Sequence, residues 1–421
     1  MALRITAEQL DAAGQALDEV LDFKYPADGV LSGFFRGQRS MGMADRAFVA
    51  ESVYGVVRHM RQLRRVAGDS VGARKLLIAW LTRYDGLSIR QLEPLLSLAE
   101  RNWLAELKTA EVEAPTLGER CDLPDWLTER LLAQYGEERL IAVADSLNTP
   151  APLDMRVNPL KIERDAAMAR LTADGFGSTV GKYSPYAIRM DDKVALQKHP
   201  LFLDGSIEVQ DEGSQLLAIL VGAKRSEMVA DFCAGAGGKT LLLGALMRST
   251  GRLYAFDVSE KRLARFKPRM ARSGLSNVHP TAIAHESDKR LKKLAGKMDR
   301  VLVDAPCSGI GTLRRNPDLK WRQTQVGVSE LVVKQAAILA AAAKLVKVGG
   351  RLVYATCSLL EEENDAIVDA FLAAHPEFVE QPVNELLAAQ KIELDTGSRL
   401  RLTPLEHGTD GFFATVMTRK S

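Results

Sequence analysis

Cysteine is scarce in this chain. Four occur in 421 residues, Cys121, Cys233, Cys307 and Cys357, and no two stand in a C-x-x-C pair. That spacing excludes the usual zinc frameworks and a disulfide-stapled fold, so no metal is expected and the thiols are expected to stay reduced. Excess charge is also missing: 56 Lys+Arg against 54 Asp+Glu leave a net +2, and whole-chain charge singles out no partner. The N-terminal stretch MALRITAEQLDAAGQ lacks the apolar core of a signal peptide, and the most apolar helix, around residues 336–346, is interrupted by Lys334 and Lys344. A cytoplasmic protein is expected. Internal repeats and low-complexity tracts are absent, and 46% hydrophobic residues at this length suit two or three domains with cores of their own.

The charge that is present is unevenly spread. Residues 36–83 hold ten Lys/Arg and three Asp/Glu, whereas residues 84–145 hold six and thirteen. Up to about residue 145 the pattern is helical. Thr6 and Gln9 form a capping box for a helix through Leu21, Pro26 suits a first helical turn, and a Gly/Arg-rich loop follows over 33–42. A long helix from Asp45 puts Phe48, Val49, Val53, Val56 and Val57 on a core face and then carries Arg58, Arg61, Arg64 and Arg65. Those arginines, with Arg36, Arg39, Arg74 and Lys75, make a candidate phosphate-binding face; a solvated helix end is the plainer alternative. Two prolines and turn formers in residues 148–152 mark a domain boundary. Residues 148–206 then read as a small α/β segment, with a strand at 153–158, a helix at 163–173 and a strand at 186–190.

The catalytic half, residues 207–421, is organised around residues 228–257. There MVADFCAGAGGKT leads through LLLGALMRST into GRLYAFD, which reads as strand, glycine turn, helix, strand. The glycines let a ligand approach the backbone, and the helix N-terminus offers unpaired N–H groups. Asp257, 19 residues past Gly238, stands where a carboxylate reaches a ribose diol. Three cofactors compete. A dinucleotide fingerprint on Gly235 and Gly237 needs its third glycine where Thr240 stands, so Gly238 comes too early, and a P-loop needs a glycine where Cys233 stands, although Gly238-Lys239-Thr240 and the run VLVD at 301–304 fit an ATPase. S-adenosylmethionine fits Asp231, the compact turn and Asp257 together.

Two further strands end in cysteine. Strand 300–304 runs into Ala305-Pro306-Cys307, and strand 351–356 ends in Thr356-Cys357. A helix of about twenty residues between them predicts parallel strands joined by a crossover. If they are neighbours, Asp304, Cys307 and Cys357 converge at the carboxyl ends, where ligands gather in an open parallel sheet. Strand 278–283 precedes an acidic exit at Ser287 and Asp288, and a closing strand over 411–417 is expected to be antiparallel. A cysteine thiolate is intrinsically nucleophilic, and two cysteines at adjacent strand ends suit two steps of one covalent reaction. Cys121, by contrast, reads as a buried inert thiol.

The strings DFCAGAGGKT, DAPCSGIGTLRRNPDLKW, YATCSLLEEEN and HGTDGFF, in that order, resemble the Sun (Fmu, RsmB) group of bacterial RNA cytosine 5-methyltransferases. The likeness is looser at 155–158, at VQDEGSQ (209–215) and at DRAFVAESVYGVVR (45–58), and Ala236 stands where many members have proline. The resemblance implies a Rossmann-like, doubly wound class I methyltransferase domain (207–421), preceded by the small α/β segment (148–206) and an all-α NusB-like RNA-binding domain (1–147). It implies S-adenosyl-L-methionine as cofactor, held by Cys233, Ala234, Gly235, Ala236, Gly237, Gly238, Lys239, Asp257, Arg262, Asp288 and Asp304. Cys357 would be the nucleophile, Cys307 the helper in release, and Asp304 the partner of the cytosine ring; a parallel with DNA cytosine methyltransferases would instead favour Cys307. RNA, in the small ribosomal subunit, would be gripped by Arg58, Arg61, Arg314, Arg315, Lys320 and Arg322, with Trp321 stacking a base. A noncatalytic RNA-binding assembly factor and a P-loop-like ATPase stay open as alternatives.

Overall fold

The computed structural model describes residues 5–109 and 113–420. Residues up to Pro150, together with Thr312–Gln325, form one compact unit; Ala151–Gly311 and the residues from Val326 onward form a second.

The first unit is helical because its apolar residues recur at helical spacing. Leu10, Ala13, Leu17 and Val20 are buried along Ala7–Val20, which starts at the reciprocal Thr6–Gln9 box. Helices Ala27–Gly37, Met43–Arg58, Met60–Ala67 and Ala73–Arg83 close over a core that includes Val53, Val57, Leu63 and Leu77. Two expectations differ here. Gly33 to Gly37 finish a helix instead of opening a loop, and the arginine-bearing helix is broken at His59. The break has a tertiary cause: the buried Asp122 carboxylate accepts from the amides of Arg61 and Gln62 at 2.9 and 3.1 Å, so it caps a new helix from across the unit.

The basic cluster is also corrected. Arg58 is buried and donates to the Arg314 carbonyl, Arg61 is tied to Asp125 and the Leu123 carbonyl, and Arg65 donates to the Glu113 carbonyl. Thr312–Gln325 does not form a solvated basic loop. Lys320 is fully buried, with its ammonium on the Arg58 carbonyl at 2.7 Å and Asn148 Oδ1 at 3.0 Å. Trp321 donates to the Val57 carbonyl, Arg322 pairs with Asp318, Arg314 is buried and Arg315 half-buried. These side chains hold this segment inside the helical unit, and in this arrangement Lys320 and Trp321 cannot grip phosphate or stack a base. Arg36, Arg39 and Arg83 remain exposed.

The second unit begins with β1 (Leu153–Val157), β2 (Ser178–Val180), β3 (Ala187–Met190) and β4 (Ile207–Val209), which pair antiparallel in the order β2-β3-β1-β4. Strand 207–209 therefore belongs to the small sheet, from which the boundary expected at 206/207 would sever it. The larger sheet comprises β5 (Met228–Asp231), β6 (Arg252–Asp257), β7 (Val278–Ala282), β8 (Met298–Asp304), β9 (Val346–Thr356), β10 (Phe378–Gln381), β11 (Leu400–Leu402) and β12 (Phe412–Arg419). Its order is β10-β12-β9-β8-β5-β6-β7, with β11 also on β12. The strands from β7 to β9 are parallel and β12 runs antiparallel to β9. Chain order reverses at β5, between β6 and β8, which is the switch point where such sheets bind ligands. The crossover helix Gln325–Ala343 is long and apolar enough to span a membrane by composition; here it buries Ile338, Leu339 and Ala342 in the core beside β8 and β9.

Burial pushes the Lys320 amine down to about 7. The folded value lies below the unfolded one, so the unfolded chain binds the extra proton, and stability present above the unfolded pKa is lost as pH falls toward 7. Wild type should therefore lose up to about 1.4 kcal/mol per pH unit from about pH 10 to 7 relative to Lys320→Met. Denaturant midpoints of the two proteins across that range measure it.

Candidate active site

The site lies at the carboxyl ends of β5, β6, β8 and β9. β5 ends at Asp231, whose Oδ2 accepts from the Thr240 hydroxyl at 2.7 Å; burial raises this carboxyl to about 7 against the pull of Thr240 and Lys239. The chain then turns through Cys233 to Gly238. Gly235 and Gly237 take φ of +57° and +83°, and a Cβ at Gly237 would overlap the Phe266 ring. This turn lets helix Gly238–Leu246 start against the cleft, as its spacing predicts. The Cys233 thiol is pushed well above its ordinary range by burial and by the charges of Asp231, Asp304 and Asp257, which suits a backbone contribution from this residue rather than a nucleophilic one.

Asp257 closes β6 and is buried. Its Oδ2 accepts from the Gly235 amide at 2.8 Å and its Oδ1 from the Ser259 amide at 2.7 Å, with Arg262 at 2.9 Å. The carboxylate thus fixes the turn and faces the same cleft. Asp288 is placed differently from expectation. It caps the short helix Lys289–Lys292, accepts from the Ala284 amide and pairs with Arg290, which together hold it far below the usual carboxylate range. Ile283 and Glu286 line the cleft from that side instead.

Lys239, the second residue of helix Gly238–Leu246, reaches Asp304 Oδ2 at 2.6 Å. Burial opposes its charge, but Asp304 outweighs burial and leaves Lys239 above the ordinary lysine value; the nearby Cys357 acts in the same direction. The two remaining cysteines meet. β8 and β9 pair in register, Asp304 opposite Ala355, so the chains that leave them run side by side and Cys307 Sγ lies 3.2 Å from Cys357 Sγ. The Cys357 sulfur, burial and the Glu363 charge push the Cys307 thiol well above its ordinary range. Asp257, Asp304, Lys239, Cys307 and Cys357 line one cleft of about 490 Å³ with the glycine turn, within the span of small-molecule sites.

Two residues of consequence had no assigned role. Arg156 of β1 is buried and donates to the Gly238 carbonyl at 2.6 Å and to Gln210, which anchors the turn from outside. Glu363 is fully buried and bonds to both cysteine-bearing loops. Arg156 lay in the looser match at 155–158 and Glu363 within YATCSLLEEEN; the first gave no direction, and the second offered three consecutive glutamates.

Strand order, switch point and cleft define a Rossmann-like methyltransferase domain. The family model described as 16S rRNA methyltransferase RsmB/F matches residues 218–418, and a ferredoxin-like domain model of RsmF/B-like methyltransferases matches 123–197. The chain is 31% identical to the probable ribosomal RNA small subunit methyltransferase B of Synechocystis sp., over 88% of this chain and 90% of that one. It is 30% identical to ribosomal RNA small subunit methyltransferase B of Sodalis glossinidius, over 97% of each. A solved methyltransferase homologue from Pyrococcus horikoshii superposes with a TM-score of 0.63 at 28% identity, covering 73% of this chain and 100% of that one. The chain belongs to the RsmB/F methyltransferase family.

The strained turn supplies a direct test. Gly237→Ala should destabilise the protein by at least about 2 kcal/mol, from overlap with Phe266 plus the left-handed backbone. A thermal or denaturant melt against wild type reads it.

Proposed function

We propose that this chain is an S-adenosyl-L-methionine-dependent RNA methyltransferase that forms 5-methylcytosine in small-subunit ribosomal RNA through a covalent adduct of Cys357. The observation that carries the reading is the 3.2 Å approach of two thiols in the cleft that also holds the glycine turn and Asp257. The names of the relatives supply the RNA class, and the same reading puts the protein in the bacterial cytoplasm.

The cleft fits the cofactor. A buried carboxylate, Asp257, is fixed by two amides where a ribose diol would sit, and the positive-φ turn keeps side chains off the approach. Ala234, Gly235, Ala236 and Gly238 would line the nucleoside side. Arg262, paired with Asp257 and half-exposed, would border the ribose. When bound, S-adenosylmethionine supplies an electrophilic methyl group on a sulfonium.

The chain's own residues account for the rest. Cys357 adds as thiolate to carbon 6 of a flipped-out cytosine, which leaves carbon 5 nucleophilic. Asp304 has one oxygen held by Lys239, and the other would accept from the exocyclic amino group of the cytosine and orient the ring, while the Lys239 ammonium offsets the negative charge that develops as carbon 6 is attacked. After transfer, carbon 5 loses its proton to a base and Cys357 departs as thiolate. Cys307 keeps its proton and can donate to that thiolate from 3.2 Å, a helper's role that suits release better than attack. RNA backbone contact is assigned to exposed Lys261, Arg265 and Lys267 on helix Glu260–Ser273, whose Arg262 and Arg269 line the cleft.

Wild type, Cys307→Ala and Cys357→Ala, each mixed with labelled small-subunit RNA and S-adenosylmethionine, should separate these roles on a denaturing gel. A slow-migrating protein–RNA adduct is expected to accumulate in Cys307→Ala, while Cys357→Ala loses methylation by at least about 10³-fold. An adduct confined to Cys357→Ala would reverse the assignment, and no adduct in any protein would sink the covalent reading. Asp257→Asn should weaken S-adenosylmethionine binding about tenfold by calorimetry, the scale of one charge-assisted hydrogen bond.

A further inference from the structure

Among the described residues, the groups around Glu363 are arranged for more than packing. Its Oε1 accepts from the Ser308 amide at 2.8 Å and the Gln335 amide nitrogen at 2.9 Å; its Oε2 accepts from the Ser308 hydroxyl at 2.5 Å and from the Ser358 hydroxyl. Four donors converge on the four lone-pair sites of an ionised carboxylate. The Glu363 carbonyl in turn accepts from the Tyr354 hydroxyl at 2.7 Å, which holds the glutamate to β9.

Three of these donors bear on the cysteines. Ser308 follows Cys307, Ser358 follows Cys357, and Gln335 of the crossover helix also donates to the Pro306 carbonyl at 2.9 Å, on the other side of Cys307. β8 ends at Asp304 and β9 at Thr356, and beyond them the Gly311 amide donates to the Cys357 carbonyl at 2.9 Å, a backbone tie that the Glu363 carboxylate supplements. Asn364 completes the clasp by donating to the Ser358 carbonyl and accepting from the Thr356 hydroxyl.

We infer that Glu363 is a positioning residue for this site: its carboxylate clamps the Cys307 and Cys357 loops at one separation and keeps a negative charge beside Cys307. The inference deepens the functional reading above, on which it rests for the roles of the two thiols. A buried carboxylate without a cation is costly unless each lone pair is occupied, and that cost explains why Ser308, Ser358 and Gln335 all point inward. Its charge opposes ionisation of Cys307 and leaves that thiol able to donate to the departing Cys357. Besides Glu363, Cys357 and Tyr354 of the β9 side bear on Cys307, and Lys334 of the crossover helix, the Lys239–Asp304 pair, Asp231, Cys233, Asp257, Arg262, Arg269 and Glu286 share its cleft.

The test has two arms. The first needs neither RNA nor cofactor: Cys307 and Cys357 are alkylated with iodoacetamide from pH 6 to 10 and each is followed by peptide mass spectrometry in wild type and Glu363→Gln. The near-isosteric amide removes the charge; its oxygen can take the Ser308 and Gln335 N–H donors, and its NH2 can donate to the Ser308 and Ser358 hydroxyls once these turn to accept, so Cys307 should react about tenfold faster at pH 8, the effect of a one-unit shift. Superimposable Cys307 profiles would overturn the electrostatic half of the proposal. The second arm is the denaturing gel with Glu363→Ala, whose clamp is gone. Retained adduct, as in Cys307→Ala, is expected, with Glu363→Gln restoring turnover to within about threefold of wild type, because the clamp's hydrogen bonds survive in the amide. Wild-type turnover in Glu363→Ala would overturn the positioning role. Should Cys307→Ala itself give no adduct, the assignment of the thiols fails, and the alkylation profiles alone then judge Glu363.

Discussion

The site depends on one constraint, the parallel pairing of β8 and β9. The connection between them, which closes with helix Gln325–Ala343, returns the chain as a parallel neighbour, and the strand spacing of about 4.8 Å brings the two carboxyl ends within side-chain reach. Asp304 opposite Ala355 sets the register, and from there each chain needs only a few residues to bring a thiol to the same point. A slip of one residue would turn Asp304 to the other face of the sheet and away from Lys239. Chemistry and topology are therefore specified together, because the strand order that buries the sheet also delivers two cysteines and a carboxylate to one cleft.

That convergence crowds acidic groups, and the structure relieves the crowding in different ways. Asp304 is neutralised by Lys239, while Asp231 is pushed to about 7 because Thr240 and Lys239 only partly offset its burial. Cys307 and Cys233 hold their protons beyond the ordinary thiol range. The result is a cleft in which Lys239 pairs with Asp304 and Arg262 with Asp257, beside thiols whose environments differ. Two chemically identical side chains thus sit in different surroundings, the arrangement that the proposed division of labour between them requires.

Much of this was legible in the sequence, and the exceptions have physical reasons. The strands and the glycine turn could be read because short apolar runs ending in Gly or in Ala-Pro-Cys have few alternatives, and the crossover length alone predicted that β8 and β9 run parallel. The break at His59 could not be read, since the group that caps the new helix, Asp122, lies 61 residues from Arg61. Lys320, Trp321 and Arg322 looked like a basic loop because composition does not distinguish a solvated lysine from one whose ammonium is met by a carbonyl and an amide. The place of strand 207–209 in the small sheet could not be read, because three residues carry too little pattern to name a partner. Glu363 was one of three glutamates in a row, and only burial separates it from Glu361 and Glu362, which lie nearer the surface.

The membership of β4 in the small sheet changes what that sheet does. Glu208 of β4 holds Arg269 and Arg272, and Arg269 donates to the Ala236 carbonyl at 2.7 Å; Arg156 of β1 donates to the Gly238 carbonyl. Two carbonyls of the glycine turn are thus held by guanidinium groups supported from β1 and β4. A peptide unit is planar, so fixing a carbonyl fixes the N–H of the following residue in the opposite sense. The small sheet thereby helps to set the direction of the turn's amides, which glycine alone would leave too free to preorganise a ligand site. Positive φ makes the turn possible; Arg156 and Arg269 make it singular.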